Sequence, residues 1–197
     1  MGLPQRVRRL TPAEYLDIER AAAYRSEFFD GEAFAMAGGS PRHSLISANI
    51  IRELGNGLKQ RPCAAYESNL RILVSATGLY TYPDASVIYG PLKFEDQRCD
   101  TVLNPTLLVE VLSDSTEAYD RGKKFSHYRQ IPSLREYLLV SQEEAKIERF
   151  LRNDDGTWTL TEAAGLEATL PLPSLGIEIG LGEVFDKVDF SAGVQEA

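Results

Sequence analysis

The stretch Thr106 to Leu112, Thr-Leu-Leu-Val-Glu-Val-Leu, constrains this chain more than any other. A nearly continuous apolar run predicts a strand covered on both faces, and so a sheet lying between two layers. Its one charged residue is Glu110. A carboxylate inside such a strand is costly unless it is paired, hydrogen-bonded or bound to a cation. Glu110 is therefore either half of a buried ion pair or part of a site.

The rest of the chain supplies the layers. Thr11-Pro12-Ala13-Glu14 predicts a capped helix start, with Pro12 in the first turn and Glu14 reaching back, and the helix runs to about Tyr24. Asp30-Gly31, between apolar residues from Phe28 to Met36, predicts a type I′ hairpin. Ser40-Pro41 opens the longest helix, to about Lys59, with Ile46, Ile50, Leu54 and Leu58 facing the core. Strands are predicted at Ala64 to Glu67, Leu70 to Ser75, Ala85 to Tyr89 and Glu136 to Val140, with a loop from Thr77 to Tyr82. Asp120 to Gln130 reads as a helix. Lys146 to Leu151 and Thr157 to Thr161 flank Asn153-Asp154-Asp155-Gly156, a second hairpin, and Leu170 to Phe185 reads as a Pro-bounded strand with a last helical turn. The expectation is an α/β (α+β) fold in one domain spanning 1–197, its core at about 25–140 and a β-rich extension at about 141–197.

At 197 residues, 43% hydrophobic and 25% charged, the chain has the composition of a folded protein with a substantial core. No apolar run is long enough to span a membrane, and no apolar stretch follows the basic first residues as a signal peptide requires, so a cytoplasmic protein with no membrane partner is expected. Cys63 and Cys99 lack metal-ligand spacing and read as reduced. A net charge of −8 argues against non-specific coating of nucleic acid. It is compatible with an enzyme whose carboxylates hold divalent cations. Basic stretches occur at Arg6, Arg8 and Arg9 and at Arg121, Lys123 and Lys124.

Asp84 and Lys124 are the natural companions of Glu110. Asp84 begins its own strand behind Pro83, which marks a strand edge. Lys124 lies on the helix after the Glu110 strand, where a strand-to-helix connection can return it to that strand's C-terminal end. Two carboxylates hold Mg²⁺ through hard oxygens, and a lysine stabilises developing charge or positions water. Taken singly, Asp84 reads as a turn cap and Glu110 with Lys124 as an ion pair.

Together, Tyr82-Pro83-Asp84, Asn104-Pro105-Thr106, Val109 to Ser113, Ser115-Thr116, Tyr119 to Gly122, Lys124-Phe125 and Tyr128 resemble the Uma-two family of restriction-endonuclease-like proteins, in the PD-(D/E)XK nuclease superfamily. The resemblance runs from Leu10-Thr11 to Leu172-Pro173-Ser174-Leu175. It implies a restriction-endonuclease-like mixed central sheet flanked by helices, and a Mg (or Mn) dependent endonuclease acting on DNA. Asp84, Glu110 and the Val111 carbonyl become metal ligands. The simple motif wants lysine at position 112, which is Leu112 here, and the resemblance moves that role to Lys124. His43 matches a family histidine that contacts substrate phosphate or the metal shell, although a first-turn histidine alone reads as a cap or surface residue.

Further candidates are weaker. Glu27 and Glu32 flank the first hairpin and could add a ligand. Asp120, Lys124 and Tyr128 share a helix face. Arg121 and Lys123 read as a solvated face before they read as DNA contacts, and Tyr80, Tyr82 and Tyr89 as packing residues. A non-catalytic nuclease-fold module for nucleic acid or protein is the alternative function. A serine hydrolase on Ser113 or Ser115 with His43 or His127 lacks the nucleophile elbow. A homodimer suits cleavage of both strands, with the Trp158 hairpin and Leu170 to Phe185 as its expected apolar surface.

Overall fold

A computed structural model of the chain describes residues 9–36 and 38–191. Thr11 caps α1 (Pro12–Ala21) through a complete capping box: its hydroxyl accepts the Glu14 N–H at 3.2 Å, and the Glu14 carboxylate accepts the Thr11 N–H at 2.9 Å. The helix ends three residues before the expected Tyr24. Asp30 and Gly31 turn the chain between β1 (Ser26–Phe29) and β2 (Glu32–Ala35), with φ of 50° and 84°. Two successive left-handed residues are what a type I′ turn requires. Ser40 caps α2 (Pro41–Gly57) by accepting the His43 N–H at 3.0 Å, and Ile46, Ile50 and Leu54 form its buried stripe.

The remaining strands are β3 (Cys63–Glu67), β4 (Arg71–Val74), β5 (Leu79–Thr81), β6 (Ala85–Tyr89), β7 (Thr101–Val102), β8 (Leu107–Val111), β9 (Glu136–Val140), β10 (Lys146–Arg152), β11 (Trp158–Ala164), β12 (Thr169–Leu172) and β13 (Ile177–Gly180). The larger sheet has the order β11-β10-β9-β8-β6-β3, with β8 parallel to β9 and antiparallel to β6. The smaller has the order β2-β1-β5-β4-β7, and β12 pairs only with β13 among the described residues. Strand β8 is buried at every position, as the apolar run predicts.

Its residues divide between two cores. Leu107, Val109 and Val111 pack with Ile46, Ile50 and Leu54 of α2 and with the β12–β13 hairpin. Leu108 and Leu112 pack with Ile72 and Val74 of the smaller sheet and with Phe125 and Tyr128. Each such side chain, buried fully, contributes about 1.5–3 kcal/mol. α1 closes the far side of the smaller sheet through Tyr15 and Leu16, which pack with Phe28 of β1 and Tyr80 of β5. This is a mixed α+β architecture with helices on a mixed sheet.

Three local readings need correction. Thr77 to Tyr82 is not all loop: Leu79–Thr81 forms β5, which joins the two halves of the smaller sheet and lies buried. Three residues are too few to show a period. The helix expected at Asp120 begins earlier, as α3 (Glu117–Tyr119), and continues through a π turn (Asp120–Lys124) into α4 (Phe125–Tyr128). The tail holds two strands, β12 and β13, before the helical turn α5 (Leu181–Val184).

Part of the apolar surface expected for a partner is used internally, while Leu160 on β11 stays exposed. Leu170, Leu172, Ile179, Val184 and Phe185 belong to the α2 core. Trp158 packs edge-on against Phe125, ring centres 5.3 Å apart, and carries Arg152 over its face at 4.8 Å.

Candidate active site

The β6–β8 register places the two acidic residues. Ala85 pairs with Val109 and Ser86 with Leu108, so one step further sets Asp84 opposite Glu110. Residues directly opposed on antiparallel strands hold their Cβ atoms about 4.5–5.5 Å apart. Asp84 Oδ2 accepts the Val111 N–H at 2.7 Å, which ties its carboxylate to the end of β8. His43 Nε2, from the first turn of α2, lies 3.3 Å from the same oxygen. Asp84 Oδ1 has no hydrogen bond among the described residues.

Glu110 is arranged the same way. Its Oε1 accepts the Tyr128 O–H at 2.7 Å and sits 2.9 Å from Lys124 Nζ. Its Oε2 has no partner among the described residues, and Glu110 lines the cleft with only 6% of its side chain exposed. Each acid thus gives one oxygen to the scaffold and keeps one free. The cleft is about 980 Å³ and is also lined by Glu27, His43, Asp84, Val111, Asp120 and Lys124.

Lys124 is held by three acids. Its Nζ lies 3.1 Å from Glu27 Oε1, 2.9 Å from Glu110 Oε1 and 3.5 Å from Asp120 Oδ1. Glu27 is fixed in turn by the Thr81 hydroxyl of β5. Tyr137 anchors the π turn by donating to the Asp120 carbonyl at 3.2 Å. π turns are frequent at functional positions, and this one keeps both Asp120 and Lys124 buried.

The electrostatics are those of an anion-rich cage. Burial is the largest influence on Lys124 and works to neutralise it, but Glu110, Glu27 and Asp120 together raise its pKa well above the usual lysine value. It is cationic. Burial lifts the Glu110 carboxyl well above the ordinary glutamate range; Lys124 opposes the shift, and the charges of Asp120 and Asp84 add to it. Burial also raises Asp120, against the pull of Lys124 and of Thr116. The hydrogen bond to Asp84 raises the His43 pKa, with burial opposing. Three acids thus contact one ammonium, with Asp84 and His43 beside them, so the cluster holds more acidic groups than cationic ones.

The donor set suits one kind of cation. Among the described residues, no group of three or more His, Cys, Asp or Glu side chains forms a ready metal cage. That pattern does not fit structural zinc. Two carboxylates with free oxygens beside a main-chain carbonyl do fit Mg²⁺, which binds through one or two carboxylates and keeps several waters.

The structure brings His43, Asp84, Glu110, Val111 and Lys124 to one end of β6 and β8. Glu27 joins them; Glu32 is exposed on β2 and does not line the cleft. The sequence carries a signal for Glu27, its place beside a hairpin, but not the fold that turns this hairpin toward β8. Of the other candidates, Arg121, Lys123, Ser113 and Ser115 line the same cleft but are engaged with neighbours. Arg6 and Arg8 lie outside the described residues, and Arg9 pairs with Asp30 at 2.6 Å. Arg121 is held by Glu117 and Glu148, and Lys123 stands over the Phe29 ring at 4.9 Å. The Ser113 hydroxyl contacts those of Ser115 and Thr116 at 3.1 and 2.9 Å, and His127 packs on Phe29, so no serine–histidine pair assembles from these residues. Tyr80 and Tyr82 are buried as expected, but Tyr89 is exposed. Cys63 and Cys99 are free thiols.

This architecture is a nuclease fold. It is similar to the crystal structure of a putative nuclease belonging to DUF820 from Anabaena variabilis ATCC 29413, with a TM-score of 0.72 and 19% identity over 89% of this chain and 97% of that one. The chain belongs to the Uma2 family, described as "Putative restriction endonuclease", whose model matches residues 12–182. It is also similar to two uncharacterized proteins of Synechocystis sp. (strain ATCC 27184 / PCC 6803 / Kazusa). One is 38% identical over 182 residues, covering 92% of this chain and 94% of the relative. The other is 38% identical over 161 residues, covering 82% and 91%.

Proposed function

We propose that this chain is a metal-dependent endonuclease that hydrolyses DNA phosphodiester bonds, with Mg²⁺ or Mn²⁺ held by Asp84, Glu110 and the Val111 carbonyl. The observation that carries the proposal is the paired arrangement of Asp84 and Glu110, each with one oxygen anchored and one free. When bound, a hard divalent cation supplies an acidified water and offsets the charge of the phosphate.

The chain's own residues do the rest. The Val111 N–H and the Tyr128 O–H fix the two carboxylates in orientation, so little reorganisation is needed on loading. Lys124, held by Glu27, Glu110 and Asp120, presents an ammonium to the cleft where negative charge grows on the phosphoryl oxygens. His43 braces Asp84 and offers a second cationic contact to phosphate. Hydrolysis adds the water oxygen to phosphorus and breaks one P–O bond to sugar, leaving a phosphomonoester and a hydroxyl.

Cutting both strands of a duplex calls for two such sites, so a homodimer belongs to the same proposal, as does a cytoplasmic location beside the cell's DNA. Among the described residues, no helix is long and apolar enough to cross a membrane. The net charge of −8 favours a second reading, a nuclease-fold interaction module without catalysis. Plasmid nicking with added Mn²⁺ separates the two. The proposal expects nicking by the wild-type protein and none by Asp84→Ala or Glu110→Ala; wild-type-like nicking by either variant removes that residue from the mechanism.

A further inference from the structure

A second concavity opens from the catalytic cleft on the side away from Lys124. It measures about 640 Å³ and shares His43, Tyr82 and Asp84 with the cleft. That size lies within the roughly 300–1,000 Å³ of small-ligand sites. Its other walls come from the α1–β1 connection (Tyr24, Arg25), from α2 (Ser44, Ser47) and from the β3–β4 turn (Ser68).

Two side chains here, Tyr24 and Arg25, have no hydrogen bond or ion pair among the described residues, while Ser47 donates to the His43 carbonyl at 2.9 Å. Tyr24 is 68% exposed, an open ring at the rim of this groove. The Arg25 guanidinium lies 5.6 Å from the centre of the Tyr82 ring, and among the described residues no carboxylate pairs with it. Glu19, the acid that lines this groove, faces inward instead: it accepts Tyr82 O–H at 2.9 Å and the Ser26 N–H at 3.0 Å. In a chain of net charge −8, an unpaired arginine beside an exposed ring and three serine hydroxyls is a local reversal of character.

We infer that this groove binds one unpaired nucleotide next to the scissile phosphate, so that the enzyme acts on DNA with a single-stranded segment at the cut. The inference rests on the nuclease reading of the adjoining site. Aromatic side chains stack on bases only where a base face is open, and arginine beside them follows the backbone. Serine hydroxyls serve phosphate oxygens or base edges equally. A base stacked within a duplex has no free face for Tyr24, and the groove holds a single nucleotide unit. Arg25, braced by the Tyr82 ring, meets the phosphate that follows the cut, while Asp84 and Glu110 face the phosphate being cut.

The test measures binding without metal. The protein in EDTA at low ionic strength is titrated into an end-labelled single-stranded oligonucleotide and into the same sequence as a blunt duplex, with fluorescence anisotropy as readout. Tyr24→Ala and Arg25→Ala are compared with Tyr89→Ala, an exposed tyrosine at the opposite end of β6. We expect the single strand to bind more tightly than the duplex. Tyr24→Ala should weaken single-strand binding about tenfold. Arg25→Ala should weaken it and flatten its salt dependence, and Tyr89→Ala should leave it unchanged. Three results overturn the inference: single-strand binding unaffected by Tyr24→Ala, a duplex bound as tightly and weakened as much, or no single-strand binding by the wild type. Plasmid nicking by the wild-type protein with added Mn²⁺ is scored separately, so that absence of nicking defeats the nuclease reading whatever the anisotropy shows.

Discussion

Lys124 Nζ stands 2.9 Å from Glu110 Oε1, on a side chain that the π turn carries back over the end of β8. The same ammonium serves Glu27 and Asp120, so it is the counter-charge for a cluster rather than for one partner. Removing one side of a buried ion pair leaves the other unpaired, at a cost of about 3–5 kcal/mol. Lys124→Met should therefore lose stability of that order at neutral pH. The loss has a pH signature. Burial and neighbouring acids already raise the Glu110 carboxyl in the folded state, and a raised carboxyl favours folding at low pH and opposes it as pH rises through the folded value. Urea titrations at mildly acid and neutral pH should show the deficit growing toward neutrality. Adding Glu110→Gln should recover part of it; a deficit independent of pH and of Glu110 contradicts this role.

Gly39 keeps room for the His43 ring. A Cβ at position 39 would lie 2.8 Å from His43 Nδ1, closer than real Cβ contacts, and 3.0 Å from Cγ, which is tight. Gly39→Ala should therefore push the imidazole off Asp84 with little effect on the fold, since Gly39 is exposed. Misplacement of a catalytic contact by an ångström can cost on the order of 10²-fold in rate. The expected result is a fall in Mn²⁺-dependent nicking with an unchanged melting temperature. Full nicking in Gly39→Ala would separate His43 from the chemistry.

Far from the cleft, Asp100 ties α1 to the smaller sheet. It accepts from Arg20 at 2.8 Å and lies 2.9 Å from Arg71 Nη2, an ion-pair contact rather than an aligned hydrogen bond. The Arg20 hydrogen bond, with Arg71 adding, holds its carboxyl well below the ordinary 3.8. A depressed carboxyl stabilises the fold above its unfolded value, and that stability is lost as pH falls through the folded one. Asp100→Asn should lower the urea midpoint at neutral pH, and the gap to wild type should narrow as pH drops below 3.8. A gap of constant size across that range would show that the arginines do not act on an ionised Asp100.

Much of this arrangement is legible in the sequence, and the limits of legibility have physical causes. The Thr106 to Leu112 run marks a strand buried on both faces, and a single acid within it marks chemistry. Asp30-Gly31 and Thr11 to Glu14 are local devices that work within a few residues, so their structures follow directly. β5 is too short to carry a period. Glu27 is harder to place: its role depends on β1 joining β5, which brings the first hairpin against the helical segment from Glu117 to Tyr128 across long sequence separations. The π turn has no composition signal, because it is imposed by packing of Tyr128 and Tyr137 around Glu110 and Asp120. Trp158 is conspicuous in sequence, but whether such a ring faces a partner or its own core depends on Phe125 and Phe150 beneath it.

The most direct measurement is anomalous diffraction from crystals soaked in Mn²⁺. The expected result is one strong peak at bonding distance from the free oxygens of Asp84 and Glu110, absent in crystals of Glu110→Gln. A soaked crystal with no density between those two acids, or with density equally strong in the variant, contradicts the account.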